Sequence, residues 1–221
     1  MGKLSVSMMC ANLVDLEYTI RILEHEKVDY LHIDVMDGEF VPNFGLGVDY
    51  IRGLRELTSI PLDIHLMIKN PEYKLQWLGI KKDDIVSIHY ESTYQVQRAL
   101  DWLKPYDCKR FLAINPATPI YALEEVLDYI DGINLLMVNP GFAGQKMILS
   151  TISKAKRLHD FLAAKGKEDI TIEVDGNISK ENAGILRNYG ASIFVIGTSG
   201  LFHGSIKNYE DNLRQLREVI K

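Results

Sequence analysis

Eight short runs of β-forming residues alternate with eight longer amphipathic stretches along the 221-residue chain, and no Pro/Gly/Ser-rich linker or low-complexity tract interrupts them. The short runs are Leu4–Met9, Tyr30–Val35, Pro61–Met67, Ile85–His89, Arg110–Ile114, Gly132–Val138, Ile170–Val174 and Ile193–Ile196. The stretches between read as helices over Leu13–Glu26, Asp49–Leu57, Pro71–Leu78, Thr93–Leu103, Ile120–Leu127, Ile148–Ala164, Lys180–Tyr189 and Tyr209–Ile220. Several open on an N-cap residue or an early proline. Strands that each return through a helix must be parallel, and eight such units in roughly 200 to 250 residues predict an α/β fold closed as a (β/α)8 TIM barrel. An open doubly wound sheet usually carries Gly-x-Gly-x-x-Gly after its first strand. Met8-Met9-Cys10-Ala11-Asn12 stands there instead. One domain spanning residues 1–221 is expected, with its reactive groups at the carboxyl ends of the strands and in the loops that follow.

Charge narrows the ligand class. With 25 Lys+Arg against 30 Asp+Glu the formal net charge is -5, and no basic stripe or aromatic-basic interleaving favours nucleic acid. Small-molecule ligands are expected. The two cysteines, Cys10 and Cys108, are far apart in sequence, which fits unpaired thiols in a reducing compartment. Met1-Gly2-Lys3-Leu4 leads into no signal-type apolar region, Val6 sits where myristoylation needs Ser or Thr, and no segment is suited to span a membrane. A cytoplasmic location with no membrane partner is the expectation.

Two short runs carry the strongest chemical signal: His32-Ile33-Asp34-Val35-Met36-Asp37-Gly38 and Asp63-Ile64-His65-Leu66-Met67. Alternate residues share one face of a strand, so His32, Asp34 and His65 converge from neighbouring strands, and Asp175 in Ile172-Glu173-Val174-Asp175-Gly176 can join them. Taken singly, each could be a polar residue at a barrel mouth. Jointly, two His and two Asp of matching parity describe a site for one divalent metal ion, and mixed imidazole-carboxylate ligation suits Zn, Fe, Mn or Co better than Mg or Ca. Asp63 lies deeper and is expected to orient a ligand imidazole. His89 and Glu91 repeat the alternate spacing and are expected outside the ligand set. Met36 and Met67, with Met8 or Met9, suggest a soft apolar wall around the substrate. Asp34 and Asp175 could also face each other across one carbon as an acid and a base.

Three glycine-bearing loops follow the sixth, seventh and eighth strands: Asn139-Pro140-Gly141-Phe142-Ala143-Gly144-Gln145, Asp175-Gly176-Asn177-Ile178-Ser179 and Gly197-Thr198-Ser199-Gly200. A Gly-rich loop alone is usually a tight turn. Three in succession at these strands predict a phosphate cradle built from backbone N–H groups.

Through His32–Gly38 with Phe40-Val41-Pro42-Asn43, Asp63–Met67, Asn115-Pro116-Ala117-Thr118-Pro119, Val138–Gln145 and Glu173–Gly176, the chain resembles the ribulose-phosphate 3-epimerase family over nearly its whole length. The resemblance implies a barrel enzyme that inverts the carbon beside a ketose carbonyl, with one divalent metal held by His32, Asp34, His65 and Asp175. It implies further that Ser7 and His65 meet substrate, that Gly141, Phe142, Ala143, Gly144, Gly176, Asn177, Gly197 and Thr198 hold the phosphate, and that the protein is a homo-oligomer binding a small sugar phosphate. Departures from the commonest pattern are Met8-Met9-Cys10 for an Ile-Leu-Ser type run, Ala143 and Asn177 for glycines, and Leu136 for a Met. Several of these, with Gly197–Phe202, resemble the allulose-6-phosphate 3-epimerase branch. The expected reaction is therefore D-allulose 6-phosphate to D-fructose 6-phosphate, with D-ribulose 5-phosphate to D-xylulose 5-phosphate as the alternative. A metal-dependent hydrolase and a non-turning-over phosphosugar-binding module are remoter alternatives. The Asp-x-Lys-x-x-Asp run of a decarboxylase is not found in the sequence.

Overall fold

The computed structural model describes residues 1–221. Eight parallel strands close into a barrel in sequence order: β1 Lys3–Ser7, β2 Tyr30–Met36, β3 Leu62–Met67, β4 Ile85–His89, β5 Lys109–Ile114, β6 Gly132–Leu136, β7 Thr171–Asp175 and β8 Ile193–Ile196. Pairing of β1 with β8 leaves no free sheet edge. The α-helices are α1 Leu16–His25, α2 Val48–Leu57, α3 Val96–Asp101, α4 Ser150–Ala164, α5 Lys180–Asn188 and α6 Tyr209–Val219. No helix is long and apolar enough to cross a membrane.

The strands are buried on both faces for different reasons. Leu31, Ile33 and Val35 of β2 belong to a 50-residue apolar cluster. This is the layer in which sheet and helices pack, and it carries the hydrophobic stabilisation. The alternate residues Tyr30, His32, Asp34 and Met36 occupy the other face of β2 and stay outside that cluster. Near the amino ends of the strands, Tyr30, Ile85, Phe111 and Ile193 form a separate apolar plug. Above it the inner positions turn polar.

Gly132 opens β6 because of that plug. A Cβ at this position would run into the Phe111 ring, so the missing side chain makes room for the phenylalanine that closes the barrel floor.

Two expected helices differ. Pro71–Leu78 is a pair of short 3-10 turns, Pro71–Tyr73 and Leu75–Trp77, entered from Asn70 at φ 48°. Ile120–Leu127 belongs to a 3-10 stretch over Ile120–Tyr129. There Ile120, Leu123, Val126 and Tyr129 recur every three residues, the repeat that aligns side chains on a 3-10 helix. Strand ends also shift: β1 stops at Ser7, where a 3-10 turn Met8–Cys10 begins, and β6 stops at Leu136.

The floor packing is directly testable. Gly132→Ala is expected to destabilise the fold by about 1–3 kcal/mol through overpacking, read as a lowered urea midpoint. Adding Phe111→Leu should recover part of the loss; an unchanged midpoint in Gly132→Ala would contradict the packing described.

Candidate active site

Strand register brings the predicted ligands to one rim. Ser7 pairs with His32, Asp34 with His65, Leu136 with Asp175 and Asp175 with Val195. His32 Nε2 lies 3.3 Å from Asp34 Oδ1 and 3.7 Å from Asp175 Oδ2. His65 Nδ1 lies 3.4 Å from each of those oxygens. A tetrahedral ion with arms of about 2.1 Å needs donor atoms about 3.4 Å apart, so the spacing fits one ion. His32 Nε2 and His65 Nδ1 are buried without a hydrogen-bond partner, a costly state for an imidazole nitrogen unless something accepts its lone pair. His32, Asp34, His65 and Asp175 can therefore hold a divalent metal, and their N2O2 donor set suits Zn, Fe, Mn or Co.

Each imidazole is fixed from behind. His32 Nδ1–H donates to Asp63 Oδ2 at 2.6 Å, and the Ser5 hydroxyl donates to the same oxygen at 2.7 Å. Asp63 thus takes the orienting position expected of it, and the tautomer that follows leaves the Nε2 lone pair facing the other ligands. His65 Nε2 is 2.8 Å from His89 Nε2, and His89 Nδ1 is 3.2 Å from Glu91 Oε2. Burial pulls His89 down to about 4, so the ring is neutral at pH 7. Its Nδ1–H donates to Glu91 and its Nε2 accepts from His65, which turns His65 Nδ1 toward the two aspartates.

Charges in this dry rim are strongly coupled. Burial works to raise the Asp34 pKa, but the imidazoles of His32 and His65 outweigh it and hold the carboxyl well below the usual range. For His32 burial works downward, and with no cation between them the Asp63 and Asp34 carboxylates overcome it and raise the group; a cation bound at Nε2 would displace that proton and take up the lone pair. Glu173, fully buried beside Asp63, is pushed well up by burial and then by the Asp63 charge. Sequence reasoning gave Glu173 no separate role, although it shares the parity of Asp175.

Above the ligands opens a cavity lined by residues from several strand ends and loops. Its lining includes Ser7, Asp34, Met36, Met67 and Asp175, together with Gly141, Phe142, Ala143, Gly144, Gly176, Asn177, Gly197 and Thr198. Met9 joins the methionine wall, while Met8 is fully buried in the core. His32 and His65 are fully buried and lie outside that lining. Ser7 Oγ donates to Asp34 Oδ2 at 3.0 Å. Asp37 caps its own loop instead, accepting the Glu39 and Phe40 N–H groups at 3.0 Å each.

The three predicted phosphate loops all line this cavity, and Asn177 ties them together. Its backbone is left-handed at φ 56°, which asparagine tolerates better than most residues. Its Nδ2 donates to Ser199 Oγ at 2.7 Å, its Oδ1 accepts the Met147 N–H at 3.3 Å, and its carbonyl accepts from Asn182 Nδ2 at 2.9 Å. Gly176 before it has φ 111°, and a Cβ there would come within 2.6 Å of Val138. The replacement of a glycine by Asn177 is thus accounted for by a bridge among loops. Leu136 contributes an apolar wall and no polar contact.

A family model described as the ribulose-phosphate 3-epimerase family matches residues 3–202. A ribulose-phosphate 3-epimerase of Bacillus subtilis is 38% identical over 90% of this chain and 92% of that protein. A chloroplastic ribulose-5-phosphate-3-epimerase of Arabidopsis thaliana is 37% identical over 96% of this chain and 75% of that protein. Among solved structures, 3-hexulose-6-phosphate synthase from Salmonella typhimurium superposes with a TM-score of 0.73 at 15% identity, covering 99% of this chain and 98% of that one. KGPDC from Streptococcus mutans gives 0.68 at 14% identity, covering 100% of this chain and 97% of that one. Those two likenesses show the shared barrel alone. With the model match and the two sequence relatives in hand, the chain belongs to the ribulose-phosphate 3-epimerase family of carbohydrate-phosphate isomerases.

Proposed function

We propose that the protein inverts C3 of a ketose phosphate by proton transfer between Asp34 and Asp175, interconverting D-ribulose 5-phosphate and D-xylulose 5-phosphate. The observation that carries this reading is the pair of carboxylates from β2 and β7 that enter one cavity, each 3.4 Å from His65 Nδ1. Two acids flanking a bound sugar can serve one as base and the other as acid, and their roles exchange when the reaction reverses. Asp34 is held ionised, and the Ser7 hydroxyl fixes one of its oxygens, so a lone pair is presented rather than a mobile side chain. When bound, a divalent cation at His32, Asp34, His65 and Asp175 supplies positive charge that stabilises the negative charge developing beside C3. Met9, Met36 and Met67 exclude water from the reacting carbon and so strengthen the local electrostatics. The Gly141–Gly144, Gly176-Asn177 and Gly197-Thr198 loops would hold the phosphate and fix the register of the sugar over the two acids.

The five-carbon substrate is the one named for the two sequence relatives. A second reading, D-allulose 6-phosphate to D-fructose 6-phosphate, rests on the resemblance of Ala143, Asn177 and the Gly197–Phe202 run to that branch, and of these Ala143, Asn177, Gly197, Thr198 and Ser199 line the cavity. The free thiols of Cys10 and Cys108 support a reducing compartment such as the cytoplasm.

Turnover in D2O should place deuterium at C3 of the epimerised product, detected by NMR; product without label at C3 would contradict transfer through two acids. Asp34→Asn and Asp175→Asn should each lower kcat by about 10²–10⁴-fold, the usual contribution of general acid-base groups, while thermal unfolding remains cooperative. Assayed side by side, D-ribulose 5-phosphate should show the higher kcat/KM; a higher value for D-allulose 6-phosphate would select the six-carbon reading.

A further inference from the structure

The Asn115-Pro116-Ala117-Thr118-Pro119 segment lines no part of the substrate cavity, yet its polar groups end on a carboxylate that leads to a metal ligand. Asn115 N–H donates to Glu91 Oε1 at 2.9 Å, and the Thr118 hydroxyl donates to the same oxygen. The other oxygen, Glu91 Oε2, accepts from His89 Nδ1 at 3.2 Å, and His89 Nε2 accepts from His65 Nε2 at 2.8 Å. From the outer side, Lys154 of α4 is itself buried and donates to the carbonyls of Asn115 and Pro116 at 2.8 and 3.1 Å. The segment is therefore gripped at both its N–H and its C=O groups, with Glu91 as the inward contact.

The chemistry of imidazole makes that contact consequential. An imidazole placed between a carboxylate and a second imidazole can accept from the latter only if its own proton sits on the nitrogen facing the carboxylate, so only the Nδ1–H form of His89 offers His65 a lone pair. With the proton on Nε2, two N–H groups would face each other across 2.8 Å. The carboxylate of Glu91 selects the first arrangement, and the Asn115 and Thr118 donors hold that carboxylate in place. The Phe40 ring, 4.7 Å from the His89 ring, closes the remaining side. His32 has no such chain, because its Nδ1–H ends directly on buried Asp63. The two imidazole ligands thus have unequal supports, one inside the barrel and one extended to a surface loop.

We propose that Thr118 and Glu91 are positioning residues for the metal centre, acting through His89 to orient His65, and that the Asn115–Pro119 segment sets cation affinity from outside the cavity. The proposal rests on the metal-site reading given above, and its test separates the two. Co²⁺ is the probe, titrated into substrate-free protein against a chelator and followed by its visible absorption. Wild type should bind one ion. Thr118→Val, which keeps shape and loses the hydroxyl, and Glu91→Gln should each weaken affinity measurably, Glu91→Gln more, and both by less than the about 10–100-fold that follows loss of a direct partner of a ligating imidazole. Thr118→Ser, which keeps the hydroxyl, should bind as wild type does. Apo-protein thermal unfolding should be alike for all four proteins. If wild type binds no Co²⁺, the metal reading itself fails. If wild type binds and Thr118→Val and Glu91→Gln match it, the ligands stand and the positioning proposal is overturned. A Thr118→Ser loss equal to that of Thr118→Val, or an affinity loss matched by an equal loss of apo stability, also overturns it.

Discussion

Two imidazole N–H groups pointing backwards into the protein govern what the rim can do. His32 donates to Asp63 and His65 donates to His89, and each bond removes one nitrogen from use while aiming the other at Asp34 and Asp175. Without these bonds either ring could turn about its terminal torsion and present an N–H where a lone pair is needed. Convergence of the four ligands therefore depends on groups that touch neither ion nor substrate. It depends equally on strand register, because a one-residue slip of β2 against β3 would send His32 and Asp34 to the helix-facing side.

Such a rim has an energetic requirement that the rest of the barrel meets. Ser5, Asp63, Ser87, Asn134 and Glu173 are all fully buried, and each desolvated polar group costs free energy unless it finds a partner. Some find one: Ser5 donates to Asp63. The apolar layer between strands and helices, continuous through 50 residues, supplies the hydrophobic stabilisation against which this polar interior is maintained. The division of labour is by strand face, with outer residues carrying stability and inner residues carrying chemistry. The Phe111 plug beside Gly132 closes that polar interior at the barrel floor.

Much of this arrangement was legible because a strand alternates its side chains with period two. His32, Asp34 and His65 could be placed on one face before any coordinates, and Asp63 could be set one layer below them. The eight βα units and the three glycine loops at β6, β7 and β8 were likewise readable from order alone. Helical type was less accessible: the stripe Ile120, Leu123, Val126, Tyr129 has the three-residue spacing that is also half of an α-helical pattern. Glu173 was hidden because burial beside Asp63, not its spacing, makes it unusual. The linking role of Asn177 depends on loops 22 and 30 residues away in sequence, and the route from Thr118 to His65 crosses three strands. Neither leaves a local pattern.

Family membership gives an epimerase barrel, and the metal-centre reading requires two imidazole nitrogens and two carboxylate oxygens to share one cation. X-ray absorption of the Co²⁺- or Zn²⁺-loaded protein reads that coordination directly. A low-coordinate shell of two imidazole nitrogens and carboxylate oxygens at about 2.0–2.2 Å, with no sulfur, is expected. A shell containing sulfur, or one lacking the outer scattering of two imidazole rings, would contradict it.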